Sequence, residues 1–297
     1  GAEVRLAKGT YDDAHDLAVQ LQEETGMTFI HPYDDDLVIA GQGSIGLEIL
    51  EQLPDVEAVI VPIGGGGLAS GIGSVFKQMS PQTKIIGVEP AGAAGMKLSF
   101  ERGEVTELDH IEKFVDGAAV QRVGDITFDI CRQVLDDIVV IPEGKVCTKI
   151  LELYNVDAIV VEPAGALSIS ALDYYRDEIK GKNVVCVVSG SNNDIVRMED
   201  IKERSLLYEG LKHYFVVSFP QRAGALHNFV TNVLGPHDDI TYFEYKKKTN
   251  REKGPVLIGI ELQNPDDFAA LTERMHEHSI DYQYLNANPT LFEFLIG

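Results

Sequence analysis

Four consecutive glycines, Gly64 to Gly67, separate the apolar segment AVIVPI (58–63) from a segment of helical character that begins at Leu68. Glycine has no side chain to cover the backbone, so N–H groups are accessible there. The first N–H groups of a helix have no intrahelical partner, and together with the helix dipole they attract an anion. The stretch from Gly64 to Leu68 therefore predicts a phosphate site. The structural alternative is a glycine-rich turn that only tight helix packing requires.

The kind of phosphate ligand is less well defined by this loop. A nucleoside triphosphate loop of the Walker A type is excluded, because no Gly-Lys-Ser/Thr follows the glycines. The relaxed dinucleotide pattern is met by Gly64, Gly66 and Ala69, and Glu89 stands about twenty residues on, where a ribose acceptor is expected. The density of glycines exceeds what that pattern requires and favours one phosphate enclosed on several sides. The loop alone leaves both ligands open.

The elements that must position the loop are strands and helices, which alternate over about the first 200 residues as in an α/β fold. Helical segments are predicted from Tyr11, Ser44 and Leu68. Several runs are apolar on successive residues, which is typical of strands in a parallel sheet with helices on both faces. The predicted strands are EVRLA (3–7), TFIH (28–31), AVIVPI (58–63), KIIGVE (84–89), DIVVIP (137–142), DAIVV (157–161) and NVVCVVSG (183–190).

The rhythm changes after about residue 203. The remaining segments have the order βαββαβ, which predicts a ferredoxin-like α+β unit of about 85 residues. The sequence therefore predicts two domains, residues 1–203 and 204–297.

The composition excludes some partners and indicates a compartment. With 25 Lys and Arg against 47 Asp and Glu, the net charge of −22 repels nucleic-acid backbones and anionic membranes. Cys131, Cys147 and Cys186 show no paired spacing, so we expect apolar buried thiols in a reducing compartment, the cytoplasm. No apolar run reaches the roughly 18 residues of a membrane span.

Five stretches closely resemble the biosynthetic threonine dehydratases, which are pyridoxal-phosphate enzymes of the tryptophan-synthase-β fold type (fold type II). The carboxyl-terminal region, with FPQRAGAL (219–226), is similar to the ACT-like regulatory domain of these enzymes. The resemblance implies dehydration and deamination of L-threonine to 2-oxobutyrate and ammonia in isoleucine biosynthesis. The stretches are HPYDDDLVIAGQGSIGLEIL (31–50), GGGGLASG (64–71), FVDGAAVQRVGDITFDI (114–130), VVEPAGALSISAL (160–172) and VVSGSNND (187–194).

The resemblance also implies roles for cofactor-binding residues. The backbone of Gly64, Gly65, Gly66, Gly67 and Leu68 would hold the phosphate of pyridoxal 5'-phosphate. Ser189 would hydrogen-bond the pyridine nitrogen, and a hydroxyl there does not keep the ring protonated, which suits elimination of a β-hydroxyl. Gly117 would let the backbone approach the ring face, and Glu162 would lie near the cofactor.

A metal site is not expected. Relatives of this fold type that bind a divalent cation use a Glu at the position of Glu89 and an Asp six residues later. In this chain the later position is Gly95, so Glu89 is interpreted as a strand-end carboxylate with local hydrogen bonds.

The ACT-like similarity implies control by isoleucine, with valine as a candidate opposing effector. The first strand-to-helix turn of that unit supplies the candidate effector residues Gln221, Arg222, Gly224 and Leu226. Single units of this kind pair between subunits, so a homodimer or homotetramer is expected.

The lysine that holds the cofactor covalently in this family lies in a Ser-Phe-Lys-x-Arg-Gly-Ala motif, which does not occur in this sequence. Lys8, Lys77, Lys84 and Lys97 lack that motif, so no catalytic residue is assigned and the chain alone is expected to be inactive. The opening residues match the family only from the latter part of its small domain onward. The alternatives are a non-catalytic amino-acid-sensing fragment, a serine dehydratase or racemase, and an NAD-dependent dehydrogenase.

Overall fold

Two compact units make up the chain, a first unit Gly1–Arg197 and a second unit Met198–Gly297. The computed structural model describes residues 2–8, 11–245 and 252–296. The predicted domain boundary after residue 203 falls inside the helix that opens the second unit, Met198–Tyr208.

The first unit contains a parallel four-stranded sheet. Its strands are β1 (Ala58–Pro62), β2 (Lys84–Pro90), β3 (Asp137–Ile141) and β4 (Val184–Cys186), in the order β3-β2-β1-β4. Its helices are α1 (Tyr11–Thr25), α2 (Asp36–Gln52), α3 (Gly67–Met79), α4 (Gly95–Arg102), α5 (Asp125–Val134), α6 (Glu143–Asp157), α7 (Pro163–Ser170) and α8 (Arg176–Ile179).

Helices cover both faces of this sheet, as the successive apolar residues predict. All five residues of β1 are buried. Val59 and Val61 belong to one core cluster with Ile72 and Phe76 of α3, while α7 also packs on β1 and β2. Alternate residues of a strand point to opposite faces, so a strand buried throughout needs cover on both. The predicted α/β class is confirmed.

The strand order places the segments that follow β1 and β4 next to each other, at the carboxyl ends of the strands. The chain advances from β1 to β2 to β3 on one side, and β4 then pairs with β1 on the other side, with Ile60 opposite Cys186. The carboxyl ends of β1 and β4 are therefore neighbours. Open α/β sheets bind ligands at such a reversal of strand order.

Three predicted strands are absent from the structure, and those predictions are wrong. Residues 3–7, 28–31 and 157–161 form no strand. Val4 and Leu6 are 79% and 88% exposed. A strand is stable only where a neighbour accepts its backbone hydrogen bonds, and a β-branched run does not supply that neighbour by itself.

The helix predicted from Ser44 begins earlier. Asp35 caps α2, because its carboxylate accepts hydrogen bonds from Leu37 N at 2.9 Å and Val38 N at 3.0 Å. An aspartate in this position satisfies two of the N–H groups that a helix start leaves unpaired. The helix consequently begins at Asp36.

The second unit is an antiparallel sheet with helices between its strands. The strands are β5 (Lys212–Pro220), β6 (Asp239–Tyr245), β7 (Lys253–Glu261) and β8 (Tyr282–Tyr284), in the order β6-β7-β5-β8. The helices are α9 (Met198–Tyr208), α10 (Ala225–Asn232), α11 (Asp267–Glu277) and α12 (Pro289–Leu295). From β5 to β8 this is the predicted βαββαβ order, so the α+β class of this unit is confirmed. Among the described helices of both units, none is long and apolar enough to cross a membrane.

The last helix, α12, is absent from the sequence-based description. Asn288 precedes Pro289, and the Asn288 side-chain oxygen accepts a hydrogen bond from Leu291 N at 3.2 Å. An Asn cap followed by proline in the first turn is a helix start signal, so this helix could have been predicted.

The cysteines of the first unit are largely buried thiols, as predicted. Cys131 and Cys147 are 0% exposed and Cys186 is partly buried. Burial raises the pKa of Cys131 to about 12 and that of Cys186 to about 11, so neither is a thiolate near neutral pH.

Replacing Phe76 by alanine should destabilise the first unit by about 3–5 kcal/mol, because the ring is 0% exposed between α3 and the sheet. Met79→Ala, in the same helix but at a side chain 63% exposed, should cost under about 1 kcal/mol. Hydrogen exchange of the β1 and β2 amides in increasing urea measures the free energy of unfolding of both variants. Equal effects of the two substitutions would contradict this assignment of the core.

Candidate active site

The glycine loop connects β1 to α3 at the edge where β1 and β4 end. Ile63 N still donates to Val88 O at 2.8 Å, after which the chain leaves the sheet. Gly66 caps α3, and its carbonyl accepts the first helical hydrogen bond from Ser70 N at 2.9 Å. The N–H groups of the first turn of α3 therefore stand at the loop with no intrahelical partner.

Neighbouring side chains leave no space for a Cβ atom on Gly65 or Gly66. A Cβ on Gly65 would overlap the ring of Tyr33. Gly66 has a φ of 98°, a conformation that costs other residues energy, and its Cβ would lie 2.9 Å from Thr127 Oγ1. The loop is thus a cradle of bare backbone, which is what close approach to a phosphate requires.

A cavity of about 300 Å³ opens above the loop, at the lower end of the range for ligand sites. It brings together most of the predicted cofactor-binding residues, including the loop, Gly117 and Ser189. Its lining consists of Pro32, Tyr33, Pro62, Gly64, Gly65, Gly66, Gly67, Leu68, Asp116, Gly117, Ala118, Ala119, Val120, Ala164 and Ser189.

Ser189 follows the end of β4 and faces this cavity. Val187 N donates to Ile60 O at 3.0 Å and so extends the pairing with β1 beyond Cys186. The Val187 carbonyl in turn accepts the Ser168 hydroxyl at 2.8 Å. These two bonds fix the segment that carries Ser189, whose own side chain is exposed and available to a ligand.

Gly117 lies in a short 3₁₀ turn, residues 116–118, that forms another wall of the cavity. Arg197 holds this turn, because its guanidinium donates to Asp116 Oδ2 at 3.2 Å and to Phe114 O at 2.7 Å. A Cβ on Gly117 would lie 2.9 Å from the Cβ of Ala164. The turn therefore packs against α7 more closely than a side chain at position 117 would permit.

Glu162 is not part of the cavity lining. It lies behind the wall, where its Oε1 is 3.6 Å from the position of a Cβ on Gly117. Its Oε2 accepts from Asn192 N at 3.3 Å, and its backbone N donates to Gly190 O at 3.1 Å. In this structure Glu162 is hydrogen-bonded to the segment that follows β4 and lies close to the 3₁₀ turn.

The donor set fits the phosphate of a pyridoxal group. The loop offers backbone N–H groups at a helix start, and the carboxylate of the lining residue Asp116 is paired with Arg197. A hydroxyl, Ser189, stands on the cavity wall for a ring nitrogen. Among the residues that the structure describes, no lysine lines the cavity.

The four lysines considered from the sequence lie elsewhere. Lys84 pairs with Glu178 at 2.7 Å, and Lys97 Nζ donates to Ile138 O at 3.2 Å. Lys8 and Lys77 are exposed. Each therefore has surroundings unlike those of a buried cofactor-binding lysine.

The carboxylate of Glu89 satisfies backbone N–H groups at the start of helix α4. Its two carboxylate oxygens accept from Met96 N at 2.7 Å and Lys97 N at 2.8 Å, in the first turn of α4. Burial raises the pKa of Glu89 to about 7, while the two N–H groups act in the opposite direction. Among the described residues no group of three or more His, Cys, Asp or Glu side chains could hold a metal ion.

Sequence reasoning assigned no role to Tyr33 or Thr127, which shape the loop. The Tyr33 hydroxyl donates to Arg122 O at 3.0 Å, and the Thr127 hydroxyl donates to Gly65 O at 2.6 Å. Both lie in stretches that carry the family resemblance. Their partners are distant in the chain, so no local spacing signals the contacts.

Two cavities flank the candidate effector turn of the second unit, with volumes of about 490 Å³ and about 250 Å³. Arg222 and Gly224 line both of them, and Leu226 lines the smaller. Gln221 lines neither, and its backbone N donates to Glu252 O at 2.8 Å. Three of the four predicted residues are therefore together at cavities.

Comparisons with known families match nearly the whole chain. Residues 1–190 match the family of pyridoxal-phosphate dependent enzymes, and residues 203–295 match the C-terminal regulatory domain of threonine dehydratase. The family match decides between the two phosphate ligands that the glycine loop left open, in favour of pyridoxal phosphate over a dinucleotide.

Individual relatives support the same family assignment. The chain is 56% identical over 295 residues to the L-threonine dehydratase biosynthetic IlvA of Halalkalibacterium halodurans, covering 99% of this chain and 71% of that protein. Identity to the corresponding Bacillus subtilis protein is also 56%, over 296 residues, with 99% and 70% covered.

A solved structure, the processed form of threonine deaminase isoform 2 from Solanum lycopersicum, superposes with a TM-score of 0.66 at 40% identity. The match covers 69% of this chain and 60% of that one, so this chain spans less than two thirds of the solved structure. The chain belongs to the pyridoxal-phosphate-dependent enzymes, and within them to the biosynthetic threonine dehydratases that carry a C-terminal regulatory domain.

Proposed function

We propose that the first unit forms the phosphate-binding part of a pyridoxal-phosphate lyase that converts L-threonine to 2-oxobutyrate and ammonia. The observation that carries the proposal is the single cavity shared by the glycine loop, Gly117 and Ser189. When bound, pyridoxal phosphate supplies an electron sink for the carbanion next to the amino group.

Each wall of the cavity has a separate task in this proposal. The N–H groups of Gly64 to Leu68 hold the phosphate at the start of α3. The Ser189 hydroxyl hydrogen-bonds the pyridine nitrogen and leaves it neutral. Gly117 permits close approach to the ring face, and Glu162 holds the segment after β4 through its contacts with Gly190 and Asn192.

A second candidate function is an amino-acid sensor without catalysis. It is favoured by the match of residues 203–295 to the C-terminal regulatory domain of threonine dehydratase. The two candidates differ in whether pyridoxal phosphate binds at the glycine loop of the first unit.

The second unit is proposed to bind isoleucine, with valine as the opposing effector. The larger cavity carries the cationic residues Arg222 and Lys253, which suit an α-carboxylate. The smaller cavity is lined by Phe219, Leu226 and Phe243, among others, which suit a branched apolar side chain. Since Arg222 lines both cavities, one amino acid can use both kinds of contact.

We also propose a homodimer or homotetramer in the cytoplasm. β6 is an edge strand of its sheet, and Tyr242, Phe243 and Tyr245 are each 39% exposed along it. Exposed aromatic residues on an edge strand favour association with a second copy.

Gly66→Ala should weaken pyridoxal phosphate binding by about ten-fold or more, because the added Cβ meets Thr127 Oγ1 and Met96 Cε at a positive φ. Gly41→Ala in α2 is the matched control, since nothing lies within 4 Å of its Cβ position. Equilibrium dialysis of both variants with the cofactor gives the affinities. Unchanged binding by Gly66→Ala would contradict the phosphate site.

Borohydride reduction of the chain with pyridoxal phosphate should leave no pyridoxyl group on Lys8, Lys77, Lys84 or Lys97, since none of them lines the cavity. Intact mass and peptide mapping detect the adduct. A stoichiometric adduct on one of these lysines would show that this description of the active site is wrong.

Arg222→Gln should lower the affinity for isoleucine by about ten-fold or more, because a charge-assisted hydrogen bond to the α-carboxylate is lost. Lys202→Gln removes the same charge from an exposed position of α9 that lines neither cavity, and should bind like the wild type. Isothermal titration calorimetry of the full chain measures all three. Equal affinities would remove Arg222 from the effector site.

A further inference from the structure

The carbonyl of Gly65 accepts hydrogen bonds from helix α5 and from the residue that precedes this helix. Thr127 Oγ1 donates to this oxygen at 2.6 Å, and Gly124 N approaches it at 3.3 Å. Thr127 is 0% exposed. Its hydroxyl also lies 3.2 Å from Gly124 O, but it has a single proton and the Gly65 carbonyl is the closer acceptor.

The start of α5 is itself fixed in position. The Asp34 carboxylate accepts hydrogen bonds from Asp125 N at 3.0 Å, Ile126 N at 2.9 Å and Thr127 N at 3.1 Å. A carboxylate that satisfies three N–H groups at a helix start also interacts favourably with the helix dipole. Thr127 is thus anchored through its backbone while its side chain reaches the glycine loop.

The direction of the Gly65 carbonyl decides the direction of the next N–H group. A trans peptide is planar, so the carbonyl of Gly65 and the N–H of Gly66 point in opposite directions. The carbonyl is held toward α5, and the Gly66 N–H consequently points away from α5. Gly65 and Gly66 both line the cavity, so this peptide is one that a phosphate in the cradle would meet.

We propose that Thr127 is a positioning residue for the phosphate site: its hydroxyl fixes the Gly65–Gly66 peptide so that the Gly66 N–H is oriented before the ligand binds. This inference rests on the proposed function, because it requires a phosphate at the loop. Thr127 does not touch the ligand and acts only through the loop backbone. Orientation in advance strengthens binding, because the ligand does not have to order the loop.

Two substitutions separate the hydroxyl from the packing of the side chain. Thr127→Val keeps the branched shape and removes the donor, whereas Thr127→Ser keeps the donor. Binding of pyridoxal phosphate and of pyridoxal, which lacks the phosphate, is measured for the full chain. Thr127→Val should bind pyridoxal phosphate about ten-fold more weakly and pyridoxal as the wild type does, and Thr127→Ser should stay within about two-fold of the wild type for both.

Hydrogen exchange of the 64–67 amides supplies a readout that needs no ligand. Exchange should be faster in Thr127→Val than in the wild type or Thr127→Ser, with thermal melts of all three showing that each is folded. Equal exchange rates in the three proteins would overturn the role of Thr127. So would an equal loss of affinity for pyridoxal and for pyridoxal phosphate in Thr127→Val.

The same experiment separates this inference from the proposed function. A wild type that binds pyridoxal as tightly as pyridoxal phosphate contradicts the phosphate site itself. The exchange rates then decide on Thr127 alone: acceleration confined to Thr127→Val supports the orientation of the loop by its hydroxyl, and its absence refutes it.

Discussion

The candidate active site depends on one steric constraint, the absence of space for side chains between β1 and α3. Tyr33 and Thr127 press on the glycine loop from different parts of the chain. The backbone can pass between them only as glycine, and at Gly66 only with a positive φ. The same crowding that excludes side chains leaves the N–H groups at the start of α3 open to the cavity, so packing and anion binding have a common origin.

The walls around this loop are assembled from segments that are remote in sequence. The pairing of β4 with β1 brings Ser189 beside the glycines. Arg197 fixes the turn that contains Gly117, and Glu162 accepts a hydrogen bond from Asn192 N in the segment after β4. A ligand in the cavity would therefore meet surfaces that are already held by hydrogen bonds. Little ordering is left to the ligand, which favours affinity.

The second unit has a different architecture from the first. Its antiparallel sheet leaves the turn between β5 and α10 between two cavities, one with cationic residues and one mainly apolar. A free amino acid is divided in the same way, because it has charged groups on its α-carbon and a separate side chain. The match of this unit to the regulatory domain of threonine dehydratase is consistent with that division.

The sequence by itself determined the fold class, the βαββαβ unit and the glycine loop, because these depend on apolar periodicity and on residue types with special backbone freedom. It failed for the segments 3–7, 28–31 and 157–161, whose β-branched residues have no pairing strand in the structure. It also gave no role to Thr127, Arg197 or Asp34, since each contacts a partner that is distant in the chain. Only the tertiary structure decided those contacts, because hydrogen bonds between remote segments depend on how strands and helices pack and leave no spacing in the sequence.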